Sequence, residues 1–198
     1  MPQLDREWFA RDAREVAVDL LGCMLVRRFP DGTEAAVRIV ETEAYRGSDD
    51  PASHAGRRRT ARNDPMFGQP GNLYVYFTYG MHYCMNIVCE PAGQPAAVLI
   101  RGAVPVRGEE HLRARRPGVP DRQLLNGPAK LTKALELDLK FNRYDLLAAD
   151  GEPDAACGGK ALSILPAESP PGSWKATPRI GISAGTDLLW RYVVEQIL

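Results

Sequence analysis

The sequence predicts an α+β fold: a single domain over residues 1–198, with a curved, largely antiparallel β-sheet flanked by helices and a protruding β-hairpin. Three observations carry that expectation. Runs rich in β-branched and aromatic residues recur between residues 23 and 103, and turn residues separate them. Helical periodicity is confined to short stretches. The length of 198 residues suits one core, and no apolar run approaches a membrane span.

Residues 5–21 read as an amphipathic helix, because Phe9, Ala13, Val16, Ala17 and Leu20 recur at helical spacing and Gly22 stands where a C-terminal cap belongs. Cys23–Phe29 and Thr33–Tyr45 read as strands joined by the turn residues Pro30-Asp31-Gly32. Residues 46–71, rich in Gly, Pro, Ser, Asp and Arg, form a connection long enough to suggest a functional loop. Residues 72–89 read as a hairpin broken at Tyr79-Gly80. Ala96–Ala103 is a further strand, and Gly108–Arg116 a short helix. Pro128 opens a helix over Ala129–Leu135. A strand is expected near Ala161–Leu165, and closing strands over Ile180–Ser183 and Trp190–Val194.

The N-terminal Met1-Pro2-Gln3-Leu4-Asp5-Arg6 lacks the basic-then-apolar pattern of a signal peptide, so an intracellular location is expected. The four cysteines, Cys23, Cys84, Cys89 and Cys157, include no Cys-x-x-Cys pair, and Cys84 and Cys89 read as buried thiols in an apolar run. With three histidines and no ligand spacing, no metal site is expected. A zinc nucleobase deaminase is disfavoured, because both His-x-Glu and Pro-Cys-x-x-Cys are missing. The formal net charge is zero, which argues weakly against nucleic acid, yet the charges are segregated. Arg57, Arg58, Arg59 and Arg62 crowd one loop, Arg113, Arg115 and Arg116 form a second cluster, and the last third is acidic from Glu136 to Asp154.

The chemistry concentrates between Arg38 and Asn86. Strand alternation puts Val37, Ile39, Glu41, Glu43 and Tyr45 on one face, so two carboxylates and a phenol end an apolar row. Among apolar and aromatic neighbours a carboxylate suits acid–base work. On this pattern alone the commoner outcome is a solvated carboxylate or one paired with Arg38 or Arg46. Tyr74 and Tyr76 share a strand face, where aromatic rings most often build a core. Tyr79 and Met81 fall at the hairpin turn, where burial is hard; an apolar wedge for a duplex is one use for them and a partner contact is another. The Arg-rich loop suits phosphate, although a charge run is usually only a solvated surface. Lys130, one turn into its helix, is a further candidate phosphate contact. A carboxylate, a set of rings and a cluster of cations are the parts needed to cut a base from DNA. A glycoside hydrolase using Glu41 and Glu43, a non-catalytic binder of distorted DNA and a plain scaffold are the rivals.

In order and spacing, these residues resemble the alkyladenine (3-methyladenine, methylpurine) DNA glycosylase family. The resemblance rests on Arg38-Ile39-Val40-Glu41-Thr42-Glu43-Ala44-Tyr45, His54, Arg62-Asn63, Met66-Phe67, and Pro70 through Tyr76. It continues through Tyr79-Gly80-Met81, Cys84 through Ile87, Val98 through Ala103, Gly127 through Leu131, and Arg179-Ile180-Gly181-Ile182, nearly the whole chain. It implies that Glu43 activates a water and that Arg101 helps hold both. It implies that Tyr45 lies on one side of a flipped base with His54 and Tyr76 on the other, and that Asn86 crowds a guanine amino group. Tyr79, with Met81 beside it, would fill the gap in a duplex, and Lys130 would bind backbone, with Arg57, Arg58, Arg59 and Arg62 as further cations. The implied substrate is double-stranded DNA containing a damaged purine, acted on by a monomer without cofactor or metal.

Overall fold

A computed structural model describes residues 4–47, 49–56, 58–78, 80–148 and 161–195. Its N-terminal segment corrects the expectation of one helix over residues 5–21. Two short helices stand there, α1 (Arg6–Phe9) and α2 (Ala13–Asp19), each started by an aspartate: Asp5 accepts the Trp8 N–H and Asp12 the Arg14 N–H. The second cap restarts the helix after a break at Ala10-Arg11. Phe9, Ala13, Val16 and Ala17 are still all buried, so the apolar spacing was real although the helix is interrupted. Gly22 lies past the Leu20 cap and, with φ +88°, turns the chain into the first strand.

β1 (Met24–Arg28) and β2 (Glu34–Tyr45) form the expected hairpin, with Asp31 Oδ1 accepting the Thr33 N–H at 2.9 Å inside the turn. β3 (Leu73–Thr78) and β4 (His82–Val88) form the second hairpin. β5 (Ala97–Arg107) runs past the expected end at Ala103, because it follows β2 as far as the Ala36–Arg107 pair. α3 (Glu109–Arg115) and α4 (Pro128–Ala134) follow, then β6 (Leu162–Leu165), β7 (Trp174–Thr177) and β8 (Arg191–Val194). β7 falls where no strand was expected. The strand expected over Ile180–Ser183 is not formed: the Ile180 N–H is given to the Glu43 side chain instead of to a neighbouring strand. Cys157 and the acidic residues from Asp150 to Asp154 lie outside the described residues.

Every strand pair is antiparallel, in the order β3-β4-β5-β2-β1-β6, with β8 on β2 and β7 on β8. β2 therefore organises the sheet. One edge follows β5 from Ala36 to Tyr45; the other pairs with β1 over Glu34–Arg38 and with β8 over Glu41–Glu43. The β2–β5 register shifts between Ile39 and Thr42, and irregularities of this kind bend a strand just where Glu43 begins. α2 packs on β2 and β5, and α4 on β4 and β5. Thr42 Oγ1 donates to the Ala17 carbonyl at 2.7 Å, which aims Thr42 and Ala44 at α2 and Glu43 and Tyr45 at the opposite face. No described helix is long and apolar enough to cross a membrane.

Candidate functional site

One row of the sheet builds the floor of a cavity. Register pairs Glu43 with Leu99, Leu99 with Asn86, and Asn86 with Tyr74, so four strands bring these residues abreast. Alternation adds Tyr45, Arg101, Cys84 and Tyr76 to the same face, two positions along their strands. Except for Glu43, all of these line a cavity of about 430 Å³. That volume lies within the roughly 300–1,000 Å³ of small-molecule sites. His54, Pro51 and Ala52 wall it from the long loop, Met66 from the 3₁₀ turn at Asp64–Phe67, and Ile180–Ser183 from the opposite side.

Glu43 stands just behind the wall, with a side chain 0% exposed. Its Oε1 accepts the Ile180 N–H at 2.7 Å. Its Oε2 accepts the Tyr45 hydroxyl at 2.8 Å and Arg101 Nη1 at 3.3 Å. An ionised carboxylate has about four acceptor sites, so one remains on Oε1. The arginine partners differ from those the sequence suggested. Arg101 Nε reaches Glu41 Oε1 at 3.1 Å, and Arg191 Nε reaches the same oxygen at 2.6 Å. Arg46 turns away to Glu90 and Asp49. Glu41 thus serves as the second anion that fixes Arg101 beside Glu43.

The aromatic side is a set of protonated hydroxyls and a neutral imidazole. Burial and the adjacent Glu43 charge hold the Tyr45 phenol protonated, and burial with Cys84 does the same for Tyr76. Tyr74 is pushed up to about 12 by burial. His54 retains solvent exposure, yet the part of its surroundings that is buried, and then the Arg62 charge, pull its imidazole below the usual value. Its Nδ1 lies 3.0 Å from the Tyr74 hydroxyl, and its ring meets that of Tyr76 edge-on at 4.7 Å. Asn86 is buried and donates Nδ2–H to the Tyr74 carbonyl at 3.0 Å.

The cation candidates stand at the margins of this cavity. The Arg62 guanidinium lies 5.3 Å from the Tyr76 ring centre and donates to the Phe77 carbonyl on the hairpin. Arg58 is exposed, whereas Arg59 is held by Asp64 at 2.5 Å and stacks on Phe67. Lys130 Nζ donates to Asn126 Oδ1 at 2.8 Å, beside Pro128, which lines the cavity. Met81 stands at the hairpin turn, away from the cavity, and is 70% exposed. Tyr79 and Arg57 lie outside the described residues.

Sequence reasoning gave no role to three groups that touch this site. Asp50 and Arg179 form a fully buried ion pair beside Tyr45, and Ile180 supplies a backbone donor to Glu43. The Arg179–Ile182 motif was a signal, but it was read as a strand. Asp50 sits in a polar loop sequence that reads as solvated. Glu41 and Arg191 were separated by 150 positions, and only β2–β8 pairing joins them.

The fold and cavity define a class: an α+β protein whose sheet sets a buried carboxylate, held by three donors, behind a pocket of aromatic rings. Residues 7–197 match the family model of methylpurine-DNA glycosylase. The chain is 48% identical, over 97% of its length and 95% of the relative's, to a Carboxydothermus hydrogenoformans protein provisionally named a 3-methyladenine DNA glycosylase. Proteins with the same provisional name from Streptomyces avermitilis and Methanocella arvoryzae are each 45% identical over 97% of this chain, and 87% and 92% of their own lengths. The chain belongs to the methylpurine-DNA glycosylase family.

Proposed function

We propose that this protein removes alkylated or deaminated purines from double-stranded DNA, hydrolysing the N-glycosidic bond and leaving an abasic site. The lesion classes are 3-methyladenine, 7-methylguanine, hypoxanthine and ethenoadenine. The observation that carries the reading is the Glu43 carboxylate, buried with three donors immediately behind a cavity walled by Tyr45, His54 and Tyr76. A flat base extruded from the stack fits between such rings. A cationic alkylated purine gains further attraction to their faces. Asn86 at the cavity floor would crowd an exocyclic amino group and so bias selection among purines.

Glu43 would take a proton from a water through its remaining Oε1 site and direct that water at C1′ of the sugar. Its negative charge would oppose the positive charge that grows on the sugar as the bond breaks. Arg101, tied to Glu41, would hold the carboxylate and water in line. No lysine lines the cavity among the described residues, so the chemistry proposed is hydrolysis without Schiff-base strand cleavage. Met81 at the hairpin turn, together with Tyr79, would fill the vacated stack, and Arg58, Arg62 and Lys130 would meet phosphates.

A single-turnover assay tests this. Duplexes with one hypoxanthine, one ethenoadenine or an alkylated purine are incubated with wild type and Glu43→Gln, and alkali reveals abasic sites. Abasic sites from wild type, lost in Glu43→Gln while lesion binding survives, are expected. Lesion-selective binding by wild type without any abasic site would replace catalysis with recognition alone.

A further inference from the structure

Asp50 and Arg179 are both 0% exposed at the side chain. Arg179 Nη1 and Nη2 meet the two Asp50 oxygens at 2.6 and 2.7 Å. A buried ion pair is weak evidence of net stabilisation, because desolvation offsets much of the attraction. The surroundings of this pair supply another role. Arg179 Nη1 also donates at 2.9 Å to the carbonyl of Ala44, the residue between Glu43 and Tyr45. The guanidinium carbon lies 4.7 Å from the Tyr45 ring centre and 5.1 Å from that of Trp190. The next residue, Ile180, gives its N–H to Glu43. At the other end, the Asp50 carboxylate accepts the backbone N–H groups of Arg46 and Ala52, which shapes the loop leading to His54.

One guanidinium therefore touches three segments that meet at the cavity: the end of β2, the long loop, and the segment after β7. Among the described residues, that last segment has no ladder partner over Ile180–Ser183. Neither Asp50 nor Arg179 lines the cavity, so any effect on a bound base passes through other residues. We infer that the Asp50–Arg179 pair is a positioning device that fixes the Glu43 carboxylate and the Tyr45 ring in the arrangement base excision needs. The inference rests on the glycosylase reading above.

The test measures single-turnover excision against enzyme concentration, with thermal unfolding alongside, for wild type, Glu43→Gln, Arg179→Lys, Asp50→Asn and Ile180→Pro. Lysine keeps the charge of Arg179 but loses its two-pronged geometry. Ile180→Pro removes the N–H given to Glu43, and it also replaces a half-exposed side chain on the cavity wall and restricts the backbone of Arg179, so its maximal rate is read beside that of Arg179→Lys and serves as a second reading where a buried variant does not fold. Glu43→Gln should show no excision, and the expected result for Arg179→Lys, Asp50→Asn and Ile180→Pro is a maximal rate about tenfold to a hundredfold lower, since small misplacements carry penalties of that size. The half-saturating concentration should move by less than about threefold, as for an interaction made only in the transition state. Folded variants with wild-type maximal rate, or a loss confined to affinity, would overturn the positioning role. Absence of excision by wild type itself would instead overturn the glycosylase reading.

Discussion

The Tyr45 hydroxyl donates to Glu43 Oε2 at 2.8 Å, so the ring that walls the cavity also holds the carboxylate behind it. The two residues are neighbours on one face of β2 because they are two apart on a strand. On the proposed function, a base lying on the Tyr45 ring would be registered against Glu43 by a single strand, without a loop between binding and chemistry.

Tyr45→Phe separates these two duties. The ring stays and the donor goes. A hydrogen bond to a charged group contributes about 1.5–3 kcal/mol, which corresponds to roughly a tenfold to hundredfold change in rate if it is made in the transition state. Lesion binding should be nearly unchanged while the single-turnover rate falls by that factor. A rate equal to wild type would show that the hydroxyl does nothing for Glu43, and a loss of binding alone would assign Tyr45 to recognition only.

His54 gives a prediction about pH. Its imidazole is held below the usual value near 6.5 by burial and by Arg62. As pH falls, the unfolded chain therefore takes up this proton before the folded one does. Stability from this group is fully present above about pH 6.5 and is lost as pH falls from there through the lower folded value. Melting temperatures measured at pH 7.5 and pH 5 should drop further for wild type than for His54→Gln, because carboxylates titrate alike in both. Parallel drops would mean that the His54 ring is not kept neutral by its surroundings.

The contrast between Glu43 and Asp50 shows what the sequence reveals. Both are buried carboxylates bonded to arginine. Strand alternation placed Glu43 on the face of Tyr45, but that pattern alone favoured a solvated or paired carboxylate, and only the family resemblance singled Glu43 out. Tyr74 and Tyr76 were paired by the same alternation, and both hairpins followed from their turn residues. Asp50 was not legible, since burial of a loop residue depends on which distant segment covers it, here Arg179 from 129 positions away. The row Glu43–Leu99–Asn86–Tyr74 had the same difficulty in another form: parity within each strand was readable, but strand order was not. The N-terminal helix failed locally, because Asp12 caps a new helix inside an unbroken apolar period.

Gly108 offers a stability prediction away from the site. It stands at the N-cap of α3 with φ +67°, and a Cβ there would sit 2.1 Å from the Glu34 carbonyl oxygen. The left-handed conformation costs an L-residue about 1–2 kcal/mol before any clash with backbone. Gly108→Ala should therefore lower the melting temperature by roughly 5 °C or more, at about 2–4 °C per kcal/mol for a chain of this size. The folded fraction should keep its excision rate. An unchanged melting temperature would mean that β2 and the start of α3 can separate without loss.

The hairpin tip supplies the last test. Gly80, with φ +70°, lets the chain reverse; Met81 in the turn is 70% exposed and Phe77 near the end of β3 is 43% exposed. A large apolar side chain held out at a turn suits a partner that covers it. If the stack of a duplex is that cover, the tip contributes only where a base has to be levered from a paired helix. Met81→Ser and Tyr79→Ser should then slow excision of a base-paired hypoxanthine by about tenfold, a small part of the few kcal/mol that unstacking costs. The same lesion in a single strand, already unstacked, should be excised at close to the wild-type rate. Equal slowing on both substrates would place the tip in general affinity for DNA, because a contact used for extrusion has no work to do on a base that is already out.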